Sequence, residues 1–535
     1  MSIAEANEKV ARARRLLDEG RVDEALAILD EGSAAELDDV LGLLDGLDEQ
    51  VDTQVRRLEA WVDVELFRVD VTMAHLAESV ADRFAKAESI CKTLVQKVGK
   101  HLKEKKPAKL ASVLRRFAAL YDEIGDSLKP IPLLEMAVKL YRSIQLFETG
   151  ASDAELADAL ECLCIYYRDN NHHADAELAG LEALSIRRKL AISAPEKYDE
   201  YVAKTLNTLT ILHEALNNLE SAEHDGVEAL SIRRRLAKVN PVKFDGEVAA
   251  TLNNLAIVHC GMNRLDVAEG EFSDALSIYR RLAHDDPKQF NDKLSANLNN
   301  LAIVHNSTNQ LLSAEKELTE ALSISRQLAE ENPAKYDPDV ALALNNLGEL
   351  HLSLKRAVDA EAEYAEALTI YRRIASGNGD RFDEGVSMAL NNIATLHRTN
   401  NSYEQAEREY AESLQIWRRL ATGNPEKFDG ALSETLTEYA VLHTKTGDFE
   451  SAQPELEEAI AIRERLAAAN PEKFNEKLAR SLQEQGFLLQ KLGNNEKARV
   501  ALAHALEILK SLSAADPANY AEDIAKMEAA LALIV

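Results

Sequence analysis

The apolar positions of this chain return in step. Leu114, Leu160, Leu206, Leu252, Leu298, Leu344, Leu390, Leu436 and Leu482 stand 46 residues apart without a single-residue slip. A fixed period of this length marks stacked helical units, so the repeat outranks any local reading. In the unit at residues 245–282, Leu252, Leu255, Ala256 and His259 follow an i, i+3, i+4, i+7 order and share one side of an α-helix. Ala268, Phe272, Ala275, Leu276, Tyr279 and Leu282 form a second such stripe, so each unit is predicted to be a helix pair. Small residues mark the close approaches: Ala256, Ala302, Gly348 and Ala394 in first helices, Ala268, Ala314, Ala360 and Ala406 in second helices.

Polar punctuation completes the unit. Asn240-Pro241, Asp286-Pro287, Asn332-Pro333, Asn424-Pro425 and Asn470-Pro471 are predicted to end second helices, because a residue before proline is pushed out of the α region. Asp245, Asn291, Asp337, Asp383, Asp429 and Asn475 are then expected to cap the next first helix with a side-chain oxygen. Asp337-Pro338 reads as the strongest of these, a cap with proline at the first helical position.

The run L-N-N-L-A-x-x-H, followed by A-E and A-L-S-I, resembles the tetratricopeptide repeat, in the longer-helix form of kinesin light chains and many bacterial repeat proteins. The matching positions are Leu252, Leu255, Ala256, His259, Ala268, Phe272 and Ala275, with His in the usual Tyr place and a unit longer than the standard one. The resemblance spans about residues 108–520. It implies an all-α fold, an α-solenoid wound as a right-handed superhelix of helix-turn-helix repeats, and it leaves the role of the array open.

The order along the chain suggests three regions. Residues 1–106 read as a divergent helical region of degenerate hairpins, with a turn at residues 18–25 and a helical stretch from about 34 to 77. That stretch carries Leu41, Leu44, Leu47, Val51, Val55, Leu58, Trp61 and Val62 as a stripe, and a second turn is expected at residues 79–82. Residues 107–515 read as nine regular repeats, and residues 516–535 as a closing helix with Ile524, Met527, Leu531 and Ile534 on one side. So apolar an end is expected to cover the last core or to pair with a second copy.

Charge and cysteine narrow the partners. Acidic residues outnumber basic ones 91 to 62, giving a net charge of −29, which disfavours nucleic acid and anionic membranes. The basic run at residues 97–109 is read as a favourable helix C-terminus. Cys91, Cys162, Cys164 and Cys260 fit no disulfide framework or zinc pattern, and Cys164 takes a small-residue packing position. With no signal-peptide core and no apolar run of ~18 residues, a reduced cytoplasmic setting is expected.

One column of the repeat suggests function. Asn254 lies about 200° round its helix from Leu252, at roughly 100° per residue. That face also holds Ala250, Ile257 and Gly261, and by resemblance it lines the concave groove. Reading the column gives Arg116, Cys162, Thr208, Asn254, Asn300, Asn346, Asn392, Glu438 and Glu484. A carboxamide offers both a donor and an acceptor to a peptide backbone, whatever the bound side chains. Asn254, Asn300, Asn346 and Asn392 are therefore the expected peptide contacts, with Asn207, Asn253, Asn299, Asn345 and Asn391 on the flank. The competing reading has these asparagines bond the adjacent helix and serve stacking alone. Hydrogen bonds contribute about 0.5–1.5 kcal/mol each, so four clamps alone give only millimolar affinity, at about −4 kcal/mol. Ile211, Ile257 and Ile303 supply an apolar floor, while Glu349, Thr395 and Lys445 make the far end polar.

A second column, His213, His259, His305, His351, His397 and His443, suggests a metal but lies on the buried stripe, one ring per unit. Neighbouring helices sit about 8–10 Å apart, too far for a shared ion, so these rings are read as packing and hydrogen-bonding residues. Arg233-Arg234, Arg280-Arg281, Arg372-Arg373 and Arg418-Arg419 are expected to meet helix C-termini and acidic neighbours. No phosphate loop, G-x-S-x-G or H-E-x-x-H occurs, so neither a cofactor nor an enzymatic activity is expected. The leading expectation is a non-enzymatic scaffold holding an extended peptide segment of a protein partner. The alternatives are a ligand-responsive sensor controlling a separate effector, and a self-assembling array.

Overall fold

The computed structural model describes residues 3–30, 51–75, 80–123, 128–145, 152–378, 382–513 and 517–533. Among these residues are 23 helices and no strand. The chain divides into two compact units, Met1–Glu271 and Phe272–Val535.

The first unit opens with α1 (Ile3–Asp18) and α2 (Val22–Asp30), joined through Gly20 at φ 74°. The longer α3 (Val51–His75) and α4 (Val80–Lys105) follow, then α5 (Pro107–Glu123), α6 (Pro130–Gln145) and α7 (Asp153–Asp169). From α8 (His173–Ser193) the helices become uniform, each 21 residues long in α9 (Pro195–Ala215), α10 (Leu219–Val239) and α11 (Pro241–Gly261). The boundary between units falls inside α12 (Leu265–Asp285). Of the stripe expected over residues 34–77, Leu58, Trp61 and Val62 are buried, while Leu41, Leu44 and Leu47 lie outside the described residues. Of the turn expected at residues 79–82, residues 80–82 belong to α4, and Ser79 lies outside the described residues.

The second unit continues with α13 (Pro287–Ser307), α14 (Leu311–Glu331), α15 (Pro333–Ser353) and α16 (Ala357–Asn378). It goes on through α17 (Asp383–Thr399), α18 (Tyr403–Gly423), α19 (Pro425–Thr446), α20 (Phe449–Ala469), α21 (Pro471–Lys491) and α22 (Asn495–Ser513). The last helix, α23 (Pro517–Leu533), buries Met527 completely beside Leu502, Ala505 and Leu509; Ile534 lies outside the described residues.

The helix starts differ from the expected caps. Asn240 ends α10 and starts α11 by itself: its N–H bonds Leu236 O at 2.9 Å, and its Oδ1 accepts from Lys243 N at 3.2 Å. Asp286, Asn332, Asn424 and Asn470 cap α13, α15, α19 and α21 in the same way. The residue before proline leaves the α region, but proline at once restarts a helix, since its fixed φ suits the first position and its missing N–H is not needed there. A single residue therefore suffices as the joint. Asp337 is no cap: it is buried inside α15, takes Arg373 Nη2 at 2.7 Å, and leaves Pro338 within the helix. Asp199 and Asp429 likewise sit inside helices and hold Arg235 and Arg465.

The turn inside each pair has its own rule. Asn171, Asn217, Asn263, Asn309, Lys355 and Asn401 have φ between 56° and 62°, and Gly447 and Gly493 have φ of 85° and 75°. These positions are 46 apart, and the left-handed residue lets the chain double back through a Schellman-type bond. In six successive turns that bond reaches the carbonyl of the column histidine, from Asn218 N to His213 O at 2.8 Å through to Asp448 N to His443 O at 2.9 Å.

Packing explains the small residues. Ala256, Ala302, Ala394, Ala268, Ala314, Ala360 and Ala406 are fully buried. Gly348 takes the alanine position because a Cβ there would stand 2.7 Å from the Tyr364 ring. Gly226 makes the opposite exchange, admitting the Leu255 side chain from α11, 2.6 Å from where a Cβ would lie.

Candidate functional site

The asparagine column lies half-buried on the first helices, and within each compact unit it is tied from one repeat to the next. Asn254 Nδ2 donates to Asn207 Oδ1, Asn346 Nδ2 to Asn299 Oδ1 and Asn392 Nδ2 to Asn345 Oδ1, each at 3.0 Å. Of the two readings left open by the sequence, these bonds supply the stacking contact. Each bond ties a column asparagine to the flanking asparagine of the unit before it, through side chains rather than helix backbone. The bond also fixes the amide, committing one N–H to the neighbouring side chain. The Oδ1 atoms of Asn254, Asn346 and Asn392 accept no hydrogen bond among the described residues.

The flank is less accessible than the column. Asn299 and Asn345 are buried at 6% and 4% exposure, and Asn253 and Asn391 are half-buried. Asn300 is half-buried, in line with Asn346 and Asn392. Ile257 is half-buried too, whereas Ile303 is 49% and Leu342 39% exposed, an apolar edge beside the amides of the second unit.

The ladder stops where the column changes residue. Glu438 carries no amide to donate, and the buried Oδ1 of Asn391 accepts no hydrogen bond. Glu438 instead accepts from Arg398 Nη2 at 2.7 Å and from Arg480. One helix pair further on, Glu484 makes no hydrogen bond among the described residues, and burial pushes its carboxyl above the ordinary range although Arg480 pulls it down. It borders a cavity of about 530 Å³ lined by Val441, Thr444 and Lys445 of α19 and by Phe487, Gln490 and Lys491 of α21.

The histidine column is buried, with His213, His259, His305, His351, His397 and His443 at 4–7% exposure. Each Nδ1 meets a carboxylate twelve residues on, in the second helix of its own pair: Asp225, Glu271, Glu317, Glu363, Glu409 and Glu455 at 2.7–2.9 Å. Nε2 faces a carboxylate 36 residues back, in the preceding second helix. Glu223 lies 3.3 Å from His259, Glu315 3.3 Å from His351 and Glu407 3.1 Å from His443. Glu177 and Glu361 stand 3.5 Å from His213 and His397. Carboxylates thus hold these ring nitrogens, and no cluster of three or more metal-ligating side chains occurs among the described residues.

The arginines divide by position. Arg142, Arg188, Arg280, Arg326, Arg372 and Arg418 reach Glu182, Glu228, Glu320, Glu366, Glu412 and Glu458, each forty residues on, along exposed second-helix surface. Arg373 and Arg419 turn back to Asp337 and Asp383 of their own first helices. Arg233 is buried and holds Thr251 and Glu247. At the basic run, Lys106 and Lys109 pair with Glu59 and Asp63. Among the described residues no helix is long and apolar enough to cross a membrane.

The pairings missed from sequence were written in it: the carboxylates stand at fixed offsets from each histidine, with the same 46-residue period. Only the stacking of second helices shows that both sets converge on one ring.

Tetratricopeptide-repeat profiles match residues 202–241, 248–287, 340–378 and 385–465. No protein of curated function matches the chain. Among solved structures, BtubC (BKLC) from P. vanneervenii is 23% identical over 46% of this chain and 92% of its own, with a TM-score of 0.38. A Rap protein complexed with competence and sporulation factor is 14% identical over 78% and 99%, with a TM-score of 0.44. Cut9–Hcn1 of the APC/C is 13% identical over 98% and 90%, with a TM-score of 0.39. Helix pairs repeating every 46 residues, matched by the family over four stretches in both units, show that the chain belongs to the tetratricopeptide-repeat superfamily.

Proposed function

We propose that residues 107–515 act as a nine-repeat, non-enzymatic scaffold that holds an extended peptide segment of a protein partner. In this reading residues 1–106 are divergent hairpins and residues 516–535 close the stack. The binding face in the second unit is the first-helix surface bearing Ile303, Leu342, Asn346 and Asn392. The observation that carries the proposal is the tethered carboxamide: the bonds to Asn299 and Asn345 consume one amide hydrogen and leave an Oδ1 without a donor on a half-buried residue. A row of fixed acceptors matches the N–H groups of an extended chain without reading its side chains. Ile303 and Leu342 supply the apolar contact that hydrogen bonds alone do not.

The test is partner recovery from the native cell with the full chain as bait. Ile303→Asp/Leu342→Asp alters exposed side chains and leaves the amide ladder whole. It is expected to lose the captured partner while keeping the wild-type circular dichroism and melting temperature. Undiminished recovery by that folded variant would overturn the assignment of this face.

A further inference from the structure

A neutral imidazole has one N–H, and only the imidazolium has two. His259, His351 and His443 each present both ring nitrogens to carboxylate oxygens within 3.3 Å, on two consecutive second helices. An ionised carboxylate cannot donate, so with both carboxyls ionised the two bonds form together only when the ring is protonated. His213 and His397 have the same arrangement with a longer outer contact. We propose that the histidine column is a row of proton-loaded joints, each buried imidazolium tying successive repeats together, and that alkaline pH loosens the stack by emptying them.

The surrounding groups support a charged ring. His443 faces Glu455 and Glu407, with the Tyr439 ring tilted against it at 4.3 Å between centroids and Asp448 close enough to interact with its charge. Tyr439 Oη also donates to Glu407 at 2.6 Å, holding that carboxylate in place. Burial opposes the charge on His443, but the bonds and charges of Glu455 and Glu407 outweigh it and raise the pKa to about 9. His351 faces Glu363 and Glu315, the latter also gripped by Arg356, and His259 faces Glu271 and Glu223, the latter gripped by Arg264. His213, between Asp225 and Glu177 with His224 bonded to the same Asp225, is raised chiefly by its bond to Asp225. His305 meets Glu317, and His397 meets Glu409 and Glu361.

A histidine whose folded pKa exceeds the unfolded value of about 6.5 contributes its full stability below that pH and loses it as pH rises through the folded value. For His443 the window runs from about 6.5 to about 9. Burial raises Glu271, Glu363, Glu409 and Glu455, so these carboxyls also bind protons more tightly when folded, with the same sign. Arg356 holds Glu315 low, which sets the opposite limit: that pair weakens as pH falls below the carboxylate range.

The full-length chain serves for the test, with histidine Cε1–Hε1 resonances followed from pH 5.5 to 10. His213 and His443 are expected to titrate above the ordinary value, His443 last, and the urea midpoint to fall between pH 6.5 and 9. The unfolding equilibrium should change by about tenfold or more as His443 is emptied. His443→Gln, which cannot be protonated, should flatten part of that slope, and His351→Gln provides the same reading should the first variant fail to fold. Column rings already neutral at pH 7, or a urea midpoint that stays level or rises across the window, would overturn the proposal.

Discussion

In α13, α15 and α17 the column position holds Asn300, Asn346 and Asn392, whereas in α19 and α21 it holds Glu438 and Glu484. The bricks are alike, and the joining chemistry is not. Where asparagine recurs, a neutral side chain links one repeat to the next and retains an acceptor. Where glutamate replaces it, two arginines converge on Glu438, one from α17 and one from α21. Neutral amides are cheap to half-bury, because one hydrogen bond offsets most of the desolvation. A carboxylate at 6% exposure needs its cations. The first arrangement leaves an acceptor oxygen without a donor, and the second spends its polar capacity on itself.

The largest test of this contrast removes a cation. Arg398→Ala leaves Glu438 with Arg480 alone, and about 3 kcal/mol should be lost from the C-terminal repeats, a typical cost for breaking a buried pair. Hydrogen exchange in α17 and α19 would report it, and unchanged protection there would mean that the pair contributes little. Converting the charged stretch to the neutral solution should recover most of that loss. In Glu438→Asn/Arg398→Leu/Arg480→Met the new amide can donate to Asn391 Oδ1, which is buried without a donor in the wild type. The triple variant is expected within about 1–2 kcal/mol of wild type in urea, since replacing a buried ion network by matched neutral groups is often neutral. A triple variant no more stable than Arg398→Ala would show that the ladder cannot be extended.

A smaller effect is expected within the ladder itself. Asn346→Ala takes the donor from Asn299 Oδ1, at a residue 6% exposed, and should cost about 1–2 kcal/mol. Asn391→Ala should cost less, because its oxygen already lacks a partner. Equal losses in the urea midpoint would count against an energetic role for the amide bonds.

Much of this contrast was legible before any coordinates. The 46-residue leucine series gave the stacked helix pairs, and the column through Asn254 identified which asparagines share a face. Sequence periodicity reports which residues share a side of one helix, and says nothing of which side chains of neighbouring helices touch. The Asn–Asn bonds, the carboxylates around each histidine and the arginines on Glu438 all belong to that second kind of fact. The caps failed for a different reason. Asp337-Pro338 has the composition of a helix start, but Asn332-Pro333 begins the helix five residues earlier, and Asp337 is claimed by Arg373.

The mildest prediction compares the turns of the same two stretches. At the left-handed position the C-terminal stretch uses Gly447 and Gly493, and the ladder stretch uses Asn309, Lys355 and Asn401. Asparagine tolerates this conformation and glycine adopts it freely, but an L-residue with a long side chain is strained there by roughly 1–2 kcal/mol. Lys355 is exposed at φ 60°, so no buried contact offsets the strain. Glycine at this point gives up more chain entropy on folding, by roughly 0.5–1 kcal/mol, which leaves Lys355→Gly a net gain of about 0.5–1 kcal/mol. Lys355→Asn should gain less. The reverse exchange, Gly447→Ala, should lose about 1 kcal/mol for conformational reasons alone, since no atom lies within 4 Å of where its Cβ would stand. Urea midpoints of the three variants would settle the order, and a Lys355→Gly chain less stable than wild type would mean that the lysine has a stabilising partner outweighing its backbone strain.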